Sequence, residues 1–388
     1  MNEQSVGARI AALRAVRGIT GAELGQALGL TKSQVSKIEN GTRKLDVSEV
    51  ALVAEALGVT LAEVLGVSRK STLALAARVM SEPGQDETRP ARRRVRQLLE
   101  SEAALSDAVG LRPAPLSTAG TTVMRRAEAE RLTEGSPVSA GARLAAIVRE
   151  ELGLGRAPIA DLPALCERHF GLNALVWPIG KAVSGLCAHG ADVAVILVSS
   201  SYPRGHQRFT GAHELAHHIL GDPREVIVET DVFMVRTPAE QRANAFAAAL
   251  LMPVDGLHEV IAGHPLDEGV LGELMREFDV SYRALVYRLA DRSVRLLSDA
   301  QRDAWLAQTP TNVLRAAGDL TPHDLTAPDE TRRLPPRLWM AAQQGYQNGH
   351  VGLGVLSSLL DEDPDILYAR LADASIQPPA VQDDLADL

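Results

Sequence analysis

The sequence predicts a mainly α-helical protein with one small β-sheet, an α+β chain of several domains. Apolar residues recur at helical spacing across residues 6–57, strand-like segments cluster only between residues 174 and 198, and helical patterns resume to about residue 375. At 388 residues the chain is long enough for two or three domains with separate cores. A hydrophobic share of 46% with only 3% aromatics suggests cores built from Ala, Leu and Val.

In residues 1–67, Val6, Ile10, Leu13, Leu24, Leu28, Val35, Ile38, Val50, Val53 and Leu57 keep a helical period, punctuated by Gly18, Gly29, Gly41 and Gly58. Residues 68–137 read as a helical linker and loop, with two helices over 69–107 broken by Glu82-Pro83-Gly84, then a Pro-, Ser-, Thr- and Gly-rich stretch over 110–137. A third region, 138–298, begins with helices near Val138–Leu152 and Asp161–His169. Strands follow at Ala174–Trp177, Gly185–Ala188 and Val193–Val198, then helices near 206–220 and 238–250 and further helices to Asp291. Residues 299–388 are expected to form a helical C-terminal module, with a turn at Asn348-Gly349 and a helix start at Pro364.

The formal net charge of −9 argues against non-specific polyanion binding by the whole chain. Arg89, Arg92, Arg93, Arg94 and Arg96 form a basic run, read as a solvated helix face. Cys166 and Cys187 cannot build a disulfide framework, and with no third cysteine or adjacent histidine they are not expected to hold a metal. The N-terminus lacks the basic start and apolar stretch of a signal peptide, and the longest apolar run is far too short for a bilayer. A cytoplasmic protein with no membrane partner is expected.

From Thr20 to Gly41 the residues describe two short helices around a turn. Thr20 and Thr31 are helix caps, and Gly29 supplies the left-handed turn. Leu24, Leu28, Val35 and Ile38 would pin the helices, leaving Lys32, Ser33, Gln34, Ser36 and Lys37 outward. Those residue types reach base edges and phosphates, and Thr31, Asn40, Thr42 and Arg43 are placed to contact DNA beside them. The stretch resembles the XRE (lambda-repressor-like) helix-turn-helix family over residues 5–66, most specifically at Ser36-Lys37-Ile38-Glu39-Asn40-Gly41. The resemblance implies a five-helix domain binding double-stranded operator DNA, with a homodimer expected. Gly21 and Gly25 depart from the family's usual Gln and Ala, the second expected to loosen its helix by about 1 kcal/mol.

His213-Glu214-Leu215-Ala216-His217 is the second motif. Residues four apart share a helix face, so His213 and His217 can hold one metal ion, with Glu214 as general base toward water. Zinc in such a site takes three protein ligands and keeps a fourth position open. Glu240 is the candidate third ligand. Thr237-Pro238-Ala239-Glu240 also fits a capping box, and Asp222, Glu225, Glu229 and Asp231 are rival carboxylates.

Arg208-Phe209-Thr210, the histidine motif, Glu240-x-x-Ala243-Asn244-x-Phe246-Ala247 and Leu250-Leu251-Met252-Pro253 together resemble the ImmA/IrrE-type metallopeptidases. The resemblance runs from about Val138 to Ser298. It implies a zincin-like fold, zinc bound by His213, His217 and Glu240, and Glu214 as the catalytic residue of a zinc metalloendopeptidase. For the oxyanion stabiliser Tyr202, His206 and Arg208 are candidates, and His218 is expected to be solvated or to sit behind a ligand. The Val280-Ser281-Tyr282 segment is read as a structural helix pair. The combination suggests a transcriptional regulator whose peptidase domain cleaves a regulatory protein, such as a repressor, in response to a signal. The alternatives are a ligand-sensing repressor with a non-catalytic domain, or the toxin of a toxin–antitoxin pair.

Overall fold

The computed structural model describes residues 6–16, 19–43, 45, 47–57, 64, 88–189, 193–222, 237–318 and 325–379. Contacts divide the chain into two compact units, residues 1–70 and 71–388.

The first unit is built from α1 (Val6–Val16), α2 (Gly21–Leu28), α3 (Lys32–Glu39) and α4 (Val47–Leu57). Ile10, Leu24, Val35, Ile38, Val53 and Leu57 form its core. The expected fifth helix lies outside the described residues except for Val64, which is buried in that core. Both helix starts are reciprocally capped. Thr20 Oγ1 accepts the Glu23 amide while the Glu23 carboxylate accepts the Thr20 amide at 2.7 Å, and Thr31 and Gln34 repeat the arrangement. Gly29, at φ 66°, ends α2. The chain then folds back so closely that Leu30 donates its amide to Gly25 O at 2.7 Å. A Cβ on Gly25 would lie 2.6 Å from Leu30 O. Gly25 therefore permits the turn's close approach, which corrects the expectation that it merely loosens a helix. Arg14 ties α1 to α3 through both oxygens of Glu39, at 2.6 and 3.2 Å, and this hydrogen-bonded carboxylate raises the guanidinium's pKa.

In the second unit a three-stranded sheet separates two helical layers. Its strands are β1 (Leu172–Trp177), β2 (Gly185–His189) and β3 (Ala194–Ser199), in the order β1-β3-β2, with β1 parallel and β2 antiparallel to β3. The register aligns Leu175, Leu197 and Leu186 across one face and Ala174, Ile196 and Cys187 across the other. Both rows are buried, so the strands read as nearly continuous apolar runs.

The inner face packs on α6 (Thr118–Ala129), α7 (Pro137–Glu151), α8 (Leu162–Phe170), α9 (Arg204–Leu220) and α10 (Pro238–Leu251). The same core continues into α11 (Val254–Ile261), α12 (Glu268–Phe278), α13 (Tyr282–Ala290), α14 (Asp299–Leu306) and α15 (Pro310–Ala316). Helix α6 lies where composition suggested a loop. Ser117 caps it by accepting the Gly120 amide at 3.0 Å, and Val123 and Ala127 enter the core.

On the outer face sit α5 (Arg89–Val109), α16 (Pro336–Gln347), α17 (Leu353–Leu360) and α18 (Pro364–Asp373). Val95, Leu98, Leu338, Leu356 and Leu367 share a core there with Trp177 and Leu197. This packing splits the basic run by helix phase. Arg92 and Arg94 are 5% and 2% exposed, correcting the reading of the run as one solvated face. Arg94 stacks 3.8 Å over the Trp177 ring and donates to Ser358 O and Leu359 O in the last turn of α17. Burial pushes its pKa down to about 10. Arg337 donates to Glu102 and to Asn173 Oδ1 at 2.8 Å, and Asn173 donates to Glu102 at 2.7 Å, joining α16, β1 and α5.

Candidate metal centre and nucleic-acid interface

Two faces of α9 carry the chemistry. The face toward α10 bears His213 and His217, which are 1% exposed. Their Nε2 atoms lie 3.0 Å apart. From α10 the Glu240 carboxylate reaches them, Oε2 at 2.8 Å from His213 Nε2 and Oε1 at 3.4 Å from His217 Nε2. Thr237 Oγ1 accepts the Glu240 amide, the backbone half of the expected cap, while the carboxylate turns to the histidines.

The outer nitrogens are also engaged. His213 Nδ1 lies 2.9 Å from Asn244 Oδ1, one helical turn beyond Glu240, and His217 Nδ1 lies 2.9 Å from Asp222 Oδ2. Arg242 holds the other Asp222 oxygen at 2.8 Å. Burial raises the Asp222 pKa, and the Arg242 charge opposes it. Carboxylate and amide oxygens hydrogen-bonded to Nδ1 direct both Nε2 lone pairs inward. Two imidazoles and a carboxylate within one coordination radius fit zinc. Asp222 therefore sits behind a histidine. Glu225, Glu229 and Asp231 lie outside the described residues.

The other face of α9 meets β2. A Cβ on Gly185 would stand 2.5 Å from Thr210 Cγ2 and 3.6 Å from Glu214 Cγ, so glycine lets the strand lie directly against the helix. Glu214, 5% exposed, is thus held between its helix and the edge strand.

In the first unit, Lys32, Ser33, Ser36 and Lys37 are exposed on α3 and Gln34 is half-buried. Thr31 and Gln34 are engaged in capping. Asn40 donates to Ser36 Oγ at 3.4 Å, and Arg43 pairs with Glu49 at 2.5 Å.

Comparison with known proteins matches residues 10–69 to the Helix-turn-helix family and residues 180–290 to the IrrE N-terminal-like domain family. The chain joins a DNA-binding helix-turn-helix domain to a metallopeptidase-family domain. It is 31% identical over 140 residues to the radiation response metalloprotease IrrE of Deinococcus deserti, covering 35% of this chain and 49% of that protein. The chain thus spans about half the length of this curated relative.

In the peptidase-family domain the remaining candidates divide. Tyr202 stacks on His206 at 4.2 Å and donates to Lys181 O at 2.7 Å, and His206 Nε2 lies 3.4 Å from Ser184 Oγ, just before Gly185. Arg208 donates to Ile159 O at 2.6 Å and lies 3.5 Å from Asp279, a buried structural role that removes it from the oxyanion candidates. The pair α12–α13 is structural, as expected: Asp279 turns at φ 50° and Ser281 caps α13. Among the described residues no helix is long and apolar enough to cross a membrane.

Sequence reasoning missed the part played by Asn244, although the Ala243-Asn244 motif displayed it, and read Asp222 only as a rival ligand. It also missed a cluster around Cys187. His189, two residues on, shares its strand face, and His218 of α9 approaches both. Cys166 is different: fully buried, its thiol is pushed up to about 12 by burial.

Proposed function

We propose that the chain is a cytoplasmic transcriptional regulator whose second domain is a zinc endopeptidase acting on a regulatory protein. The observation that supports the enzymatic half best is the convergence of His213 Nε2, His217 Nε2 and a Glu240 carboxylate, with both outer nitrogens already oriented. Held by these three residues, zinc would supply Lewis acidity and acidify water. Glu214 accepts a proton from the water that attacks the peptide carbonyl, and returns it to the amine as the C–N bond breaks. Among the described residues β2 pairs only with β3, so its outer edge can take an extended peptide by strand addition beside Glu214. Residues 1–67 bind an inverted repeat of double-stranded DNA as a homodimer, with Lys32, Ser33, Gln34, Ser36 and Lys37 in the major groove. Thr31, Asn40 and Arg43 contact the flanking backbone.

Glu214→Gln tests the reading. Glutamine keeps the shape but cannot accept the proton, so zinc content and operator binding should stay at wild-type levels. Hydrolysis should fall by roughly 10²–10⁴-fold, and cells carrying the variant should not respond to the inducing condition. Normal induction would remove hydrolysis from the switch and leave a ligand-sensing repressor.

A further inference from the structure

We propose that Cys187, His189 and His218 form a second metal site, specific for a thiophilic divalent cation of the zinc class and separate from the His213–His217–Glu240 centre. The proposal stands on geometry alone and does not depend on the peptidase reading. One atom of each residue lies within 4.8 Å of the others: the Cys187 sulfur and one ring nitrogen from each histidine. Cys187 Sγ is 3.5 Å from His189 Nε2, which is 2.9 Å from His218 Nδ1. A tetrahedral zinc ion separates a sulfur and a nitrogen ligand by about 3.6 Å and two nitrogens by about 3.3 Å. Small rotations of the two rings therefore suffice to admit an ion.

The local architecture prepares the ligands. Cys187 and His189 project from the same face of β2, two residues apart, toward α9. His218 stands on the last turn of α9, on the side that also carries Thr210 and Glu214. Its Nε2 lies 3.0 Å from Phe170 O. A carbonyl only accepts, so that nitrogen carries the hydrogen and Nδ1 presents its lone pair to the cluster, as the partner behind a metal-binding histidine does. His189 Nε2 meets both that lone pair and the thiol sulfur. A cation placed between the three would be met by all of these donor atoms at once. His218 also lines an open hollow of about 690 Å³ beside Glu128 and Thr133. A thiolate with two imidazoles selects zinc-class ions over calcium or magnesium.

Cobalt(II) titration of the metal-free full chain tests the proposal, because only this site can add a sulfur-to-cobalt charge-transfer band. Wild type should bind two equivalents, one of them with the band. His217→Ala should keep the band while losing the other equivalent. Cys187→Ser should lose the band and one equivalent, retaining the visible spectrum of the nitrogen–oxygen site. Zinc should also slow iodoacetamide alkylation of Cys187 in the wild type by at least tenfold. Absence of the band in wild type, its persistence in Cys187→Ser, or unprotected alkylation would reduce the cluster to a hydrogen-bonded pair beside a thiol. Should Cys187→Ser fail to fold, His189→Ala on the partly exposed edge takes its place. At least tenfold weaker binding of the band-forming ion is expected there, and unchanged affinity overturns the site.

Discussion

Two histidines share an ion only when both turn a lone pair toward it, and that is governed at their far nitrogens. For His217 the far nitrogen meets Asp222, itself fixed by Arg242. Removing this support leaves the ligands in place but frees the ring to rotate. Asp222→Ala should weaken zinc binding by about 10–100-fold, measured by competition with a fluorescent chelator. A change below threefold would show that packing alone orients the ring. The i, i+4 pair was legible in the sequence because helical spacing places it on one face. The role of Asp222 was not, since a carboxylate five residues past a histidine reads equally as a ligand. Nor was the cluster at Cys187, whose parts meet only when a strand packs on a helix.

At the scale of the element, α3 has two demands on one side chain. Gln34 accepts the Thr31 amide at 2.8 Å and completes the cap, yet it is also the residue best suited to read a base. Gln34→Glu separates the two, because glutamate caps as well as glutamine but cannot donate to a base. The variant's thermal midpoint should match wild type while operator affinity falls by about 1–3 kcal/mol. Equal affinity would confine Gln34 to the cap. The helices themselves were legible, caps included, because Thr-x-x-Glu and Thr-x-x-Gln are local signals. Gly25 was misread, because its value lies in the approach of Leu30, which spacing within α2 does not reveal.

Across the whole molecule, the sheet is covered on its outer side by α5 and α16–α18, segments far apart in sequence. Arg94 joins them, crossing from α5 to the end of α17 over Trp177. Arg94→Met keeps much of the volume but strands the Leu359 carbonyl, while Ser358 O keeps the Asp361 amide, so it should cost roughly 1–3 kcal/mol in urea unfolding of the second unit. An unchanged midpoint would mean water replaces the guanidinium. The sequence offered only a run of arginines, and helix phase against a remote partner sorted them into buried and exposed.

That closure also dictates timing during synthesis. More than 260 residues separate the end of α5 from the end of α18. At about 5–20 residues per second, the apolar stripe of α5 waits roughly 13–50 s on the ribosome before its cover arrives. A nascent chain can thus hold a finished helix-turn-helix unit while the sheet beside Trp177 is still bare. A premature stop before residue 335 would release such a molecule, a helix-turn-helix unit joined to a sticky, half-built second unit, ready prey for chaperones and proteases.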